Sequence, residues 1–199
     1  MKKIILLVFV CSMAVFVGCT NRTANNPPQI ALMELSTSQQ EILDLLSHPG
    51  QEFLLFEYTD GVFTEIEIWV EVYHYGELLG GYSNIKTISD TPMEARPIVI
   101  SIHQPNRHEF QWSLSIGGSR STAEPWTAQA EYLASAFGSI REPVEVVDGQ
   151  EIILYLSKFT TGTTLSTMND LQHYLEYPEN LAGYTYVHII KARFAKGAQ

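Results

Sequence analysis

The sequence predicts a mainly β domain, an antiparallel β-sandwich of immunoglobulin-like arrangement with one or two short flanking helices. Three observations carry this. Apolar residues recur with period two in several segments, turn signals punctuate them at short intervals, and no long helical pattern separates them as a parallel sheet would require. The absence of any repeat of fixed period argues against a propeller or solenoid. At 199 residues, 45% hydrophobic and 17% charged, the composition is that of an ordinary globular chain of one domain.

The first element is not part of that domain. Met1-Lys2-Lys3 supplies a short positive start, Ile4 to Val17 is an apolar run interrupted only by Ser12, and Gly18-Cys19 follows. This is the layout of an export signal, and the run is shorter than the roughly 20 residues a spanning helix needs. Phe16-Val17-Gly18-Cys19 resembles the lipobox of bacterial lipoproteins, in which a small residue precedes a cysteine whose thiol takes a diacylglyceryl group before cleavage. The resemblance implies a signal peptide over 1–18, cleavage between Gly18 and Cys19, and a lipid on Cys19. Phe16 departs from the aliphatic residue usual three positions ahead of the cysteine. The implied address is the extracytoplasmic face of a cell membrane, the lipid acting as anchor. Cys11, the only other cysteine, lies inside the apolar run behind bulky Val10 and reads as a small hydrophobe of the leader. With Cys19 alone left after cleavage, the exported part can form no internal disulfide.

Residues 19–35 then read as the lipidated cysteine and a flexible tether, polar and containing Pro27-Pro28. A single domain follows over 36–199, and no family-specific motif marks it. Ser38-Gln39-Gln40-Glu41 has the pattern of a capping box, and Ile42, Leu45 and Leu46 give the helix after it one apolar face, ending near Pro49-Gly50. Ile66, Ile68, Val70 and Val72 alternate with Glu65, Glu67, Trp69, Glu71 and Tyr73, the pattern of a half-buried strand. Asp60-Gly61 is a turn signal that would join this strand to Glu52–Tyr58 as a hairpin. Ile98, Ile100 and Ile102 alternate ahead of the Pro105-Asn106 turn, and Phe110, Trp112, Leu114 and Ile116 alternate on the return. Pro125 to Phe137 is helical by composition but poorly periodic. Asp148-Gly149 suggests a third hairpin between Val144–Val147 and Glu151–Leu156. Thr167 to Leu175 reads as a short capped helix ending before Pro178, and Tyr184–Phe194 as a closing strand. The total is about seven strands.

Composition excludes some partners. Loss of Lys2 and Lys3 with the leader leaves the 12 basic side chains two fewer, against 22 acidic ones. Nucleic acid, which is held through Lys and Arg clusters, is disfavoured. Motifs for nucleophilic, metal or nucleotide chemistry are missing, so no catalytic residue, metal ligand or cofactor is assigned. Ser83-Asn84-Ile85-Lys86 matches Ser-x-x-Lys but lacks its companion motifs. His103 and His108 flank the Pro105-Asn106 turn and would face each other across a hairpin, too few ligands for a closed metal site. Glu65, Glu67 and Glu71 share one strand face, where Lys191 and Arg193 of the closing strand are candidate ion-pair partners. A Glu pair is also the minimum equipment of a glycoside hydrolase. Trp69 and Tyr73 share that face, and with Trp126 they form a candidate ligand platform of the kind that stacks on sugar rings. The sequence thus leads to a tethered, non-enzymatic binding or structural module, its partner an envelope protein or a glycan.

Overall fold

The computed structural model describes residues 27–59, 62–165 and 170–197; the signal peptide, Cys19, the Asp60-Gly61 turn and the start of the capped helix at Thr167 lie outside them. Two antiparallel sheets pack face to face, confirming the mainly β sandwich. The strands in chain order are β1 (Gln29–Leu32), β2 (Gln51–Thr59), β3 (Glu65–His74), β4 (Glu77–Ile88), β5 (Pro97–Asn106), β6 (Glu109–Ile116), β7 (Ser119–Thr122), β8 (Trp126–Thr127), β9 (Ala134–Ser139), β10 (Val144–Glu145), β11 (Glu151–Thr160) and β12 (Tyr186–Ala195). Helices are short: α1 (Thr37–Leu46) follows β1, while α2 (His173–Glu176) and a 3-10 turn (Pro178–Gly183) precede β12. One sheet runs β10-β1-β2-β5-β6-β7, with β8 also on β6; the other runs β4-β3-β12-β11-β9.

The period-two strands behave as their patterns require. Ile66, Ile68, Val70 and Val72 of β3 are fully buried against Phe56, Ile98, Ile100, Trp112 and Leu114 of the facing sheet, while the odd-numbered residues turn outward. Full burial of each such side chain stabilises the fold by about 1.5–3 kcal/mol, which is why the alternation survives into the structure. Tyr58 closes one end of the core, its hydroxyl donating to the carbonyls of Met93 (3.1 Å) and Glu94 (2.7 Å).

Several expectations need correction. β1 lies within the stretch read as tether; it pairs with both β2 and β10, so the domain begins at Gln29 rather than Ser36. The Glu52–Tyr58 and Phe63–Tyr75 strands are not a hairpin: β2 and β3 belong to opposite sheets, and the chain crosses the sandwich between them. The same is true of β10 and β11 around Asp148-Gly149. Only β5–β6 is a hairpin as expected, and its turn is tighter than expected. Asn106 pairs with Glu109 and its Oδ1 accepts the His108 amide (2.9 Å), so His103 stands opposite Gln111 and the two histidines do not face each other. Ser83 and Lys86 lie on strand β4 with Ser83 toward the core and Lys86 outward, so the Ser-x-x-Lys spacing does not stack them. The Pro125–Phe137 segment becomes β8, a loop and edge strand β9.

Helix α1 is capped two residues earlier than predicted, by Ser36, whose Oγ accepts the Gln39 amide while Gln39 Oε1 accepts the Ser36 amide (2.9 Å). None of its residues is buried, and Ile42, Leu45 and Leu46 point into solvent. No helix among the described residues is long and apolar enough to cross a membrane.

Candidate functional site on the outer face of the five-stranded sheet

Alternation along β3 and β12 sends Glu67, Trp69, Glu71 and Tyr73 outward beside Arg193, Lys191, Ile189 and Val187, in that register. One half of this face is roofed. A bulge in β11 between Ile153 and Tyr155 frees the Ile153 amide and carbonyl. The Gln172 side chain takes both, accepting from the amide (2.9 Å) and donating to the carbonyl (2.8 Å), and so fixes the segment that leads into α2. Beneath this segment Lys158 is fully buried, its Nζ 3.2 Å from the Tyr174 hydroxyl and 3.1 Å from that of Tyr184, with the Tyr184 ring centroid 4.6 Å away. The sequence signal for this lysine is its place as the one charge in the run Ile152–Phe159.

The other half is open and forms a shallow pocket of about 660 Å³, with Trp69, Glu67, Glu71, Asn84, Glu151 and Arg193 in its lining. Glu71 organises it. Trp69 Nε1 donates to Glu71 Oε1 (2.8 Å), Tyr73 Oη to Oε2 (2.6 Å), and Lys191 Nζ lies 2.9 Å from Oε2 and 3.0 Å from Glu151. Burial raises the Glu71 carboxyl, but the hydrogen bonds from Tyr73, Trp69 and Lys191 together outweigh it and hold it below the usual range. Tyr73 is driven the other way, well above the ordinary phenol range, by burial and then by its bond to Glu71. Glu67 is held low chiefly by the Asn84 amide (2.9 Å) and, after a burial penalty, by Arg193. Glu65 pairs with Lys86 (2.7 Å). The Arg193 guanidinium carbon sits 5.8 Å from the Trp69 ring centroid.

The expected pairing of the Glu face with Lys191 and Arg193 is therefore present, and it decides the chemistry. Glu67 and Glu71 stay ionised and Tyr73 stays protonated, so none of the three is poised to exchange a proton near neutral pH. The pocket offers fixed donors and acceptors already paired among themselves, three carboxylates to two cations, beside one indole. Of the predicted platform, Trp69 and Tyr73 share this face, half-buried and joined through Glu71, but Trp126 does not. It lies between the sheets, 8% exposed, packed on Phe110, Tyr186 and His188. The contributions of Asn84 and Glu151 had no sequence signal, since both arrive from strands paired only in the fold.

Elsewhere, the inter-sheet core holds His188, fully buried with ring centroids of Phe110, Trp112, Trp126 and Phe159 at 4.6–5.2 Å. Its Nε2 has no hydrogen-bond partner among the described residues, and burial pushes its pKa down to about 3. Among the described residues no group of three or more His, Cys, Asp or Glu side chains is placed to hold a metal ion.

No curated protein and no solved structure is significantly similar to this chain. A family model described as the YgaN domain matches residues 29–194, from the first residue of β1 to the penultimate residue of β12. That span takes in both sheets, the roofed lysine and the open pocket, and the chain belongs to the YgaN domain family.

Proposed function

We propose that the protein is a membrane-tethered binding module on the extracytoplasmic face of the cell membrane, and that the open pocket around Trp69 receives a neutral polyhydroxylated ligand, a glycan of the envelope. The observation that carries the ligand class is that the charges around the pocket already engage one another: Glu67 pairs with Arg193, and Glu71 and Glu151 share Lys191. An anion would meet the surplus carboxylate and a cation would have to compete with Lys191 and Arg193, whereas a sugar brings hydroxyls that add to such groups and a ring face that stacks on an indole. The tether reading rests on Gly18-Cys19. β1 begins ten residues past Cys19, a spacer of at most about 35 Å, which would keep the pocket near the bilayer surface.

The two parts have separate tests. Full-length protein titrated with neutral oligosaccharides should quench tryptophan fluorescence, and Trp69→Ala, followed by calorimetry, should weaken binding by about tenfold or more while the variant still unfolds cooperatively. Equal affinity in wild type and variant refutes the pocket. For the anchor, Cys19→Ser should leave the precursor uncleaved or release the protein from membranes, and normal processing with membrane retention rules out the lipid.

A further inference from the structure

The four sheet edges are not equally protected. β4 carries Glu77 and Lys86, with two register shifts against β3; β7 carries Arg120; β10 is two residues long, follows Pro143 and bears Glu145. Charges, bulges, brevity and proline are the devices that keep an edge from pairing with another chain. β9 has none of them. From Tyr132 to Ile140 the sequence contains no charge and no proline, and Leu133 and Phe137 are 68% and 65% exposed.

We infer that β9 pairs antiparallel with β9 of a second copy of this chain, about a two-fold axis at Ala136, joining the two five-stranded sheets into one. Two independent constraints select that register. The first is hydrogen-bond parity. The Ile140 amide donates to the Leu154 carbonyl, continuing the β9–β11 ladder past Gly138↔Leu156, so even positions face β11 and Ser135, Phe137 and Ser139 turn their amides and carbonyls to the free edge. A self-pair must therefore match odd with odd positions, which places its axis on a residue rather than between residues. The second constraint is charge. Exposed Glu131 and Arg141 flank the uncharged segment five residues either side of Ala136. An axis at Ala136 places Glu131 of each copy opposite Arg141 of the other, twice per dimer, and pairs Ser135 with Phe137. Moving the axis to Ser135 or Phe137 removes both ion pairs.

The register is read by cysteine cross-linking of the protein purified in detergent and treated with copper phenanthroline, wild type without an introduced cysteine serving as the blank. At the axis, two Ala136→Cys residues would form a non-hydrogen-bonded pair with Cα atoms about 4.5 Å apart, within disulfide reach. Ser139→Cys, off the axis, would be far outside it. The expected result is a reducible dimer with A136C and none above the blank with S139C. Glu131→Arg and Arg141→Glu should each lower the A136C dimer yield about tenfold, and the two together should restore it. No dimer with A136C, equal dimer with S139C, a failure of the double reversal to rescue, or an adduct of A136C with a different protein would each overturn the pairing.

Discussion

Acid should loosen this domain through a single core side chain. His188 is fully buried, without a hydrogen-bond partner on Nε2 among the described residues, and its folded-state pKa falls to about 3 from an ordinary value of 6.5. Because the folded pKa is the lower one, the unfolded chain takes up the proton first. Stability is complete above about pH 6.5 and declines as pH falls toward 3, by about 1.4 kcal/mol per unit. By pH 5 the loss is about 2 kcal/mol, a large share of the 5–15 kcal/mol typical of a domain. Carboxylates such as Glu67 and Glu71, held low, add their own acid sensitivity only as pH falls below about 5, toward the ordinary carboxylate value of 4.5. Glu52, raised by burial, acts in the opposite sense and is common to wild type and variant. Urea unfolding at about pH 7, 6 and 5 on wild type and His188→Leu isolates the effect. Leucine removes an unpaired polar atom at similar volume, so the variant should lie within about 1.5 kcal/mol of wild type at pH 7. It should also lose about 2 kcal/mol less than wild type on going to pH 5. Parallel pH profiles for the two proteins would show that the histidine is not the group responsible.

Other substitutions probe the frame around the pocket. Gln172→Ala strands the Ile153 amide and carbonyl, at about 1–3 kcal/mol for each group that water cannot reach; faster hydrogen exchange at the Ile153 amide, with a lower melting temperature, is the expected readout. Gly50 has φ of +77° and a Cβ there would stand 2.2 Å from the Gln104 carbonyl oxygen, so Gly50→Ala should destabilise by more than 1 kcal/mol in thermal unfolding. Glu71→Leu leaves Lys191, only 11% exposed, with Glu151 alone and frees the hydroxyl of Tyr73. The expected cost is about 3 kcal/mol, and a spectrophotometric titration should show Tyr73 ionising at lower pH than in wild type.

How much of this was legible depended on whether a feature is local. The alternation of β3 identified its buried and outward faces residue by residue, and the outward Glu row found its Lys191 and Arg193 partners, because opposite charges on neighbouring strands of one face leave few alternatives. Turn signals were less informative. Asp60-Gly61 and Asp148-Gly149 are turn signals that serve a hairpin and a crossing between sheets equally well, and here the strands before and after each belong to opposite sheets. β4 escaped notice because an edge strand with Gly80-Gly81 and polar Ser83, Asn84 and Lys86 has no apolar stripe to reveal it. β9 was hidden by its Ala-Ser-Ala composition, and β1 by the prolines ahead of it. Trp126 was placed on the platform by residue type alone; only the short β8 pairing with β6, a long-range contact, puts it between the sheets.

The position of β1 has a mechanical consequence. It sits between β10 and β2, with the Pro28 carbonyl accepting the Val146 amide (2.7 Å) and the Gln29 amide donating to Thr59 Oγ1 (3.3 Å). Traction on the chain ahead of Gln29, directed along the strand, would load both flanking ladders in shear at once instead of peeling them bond by bond. The point where the polypeptide leaves the sandwich is thus reinforced on two sides, an arrangement suited to a domain pulled from its amino-terminal end.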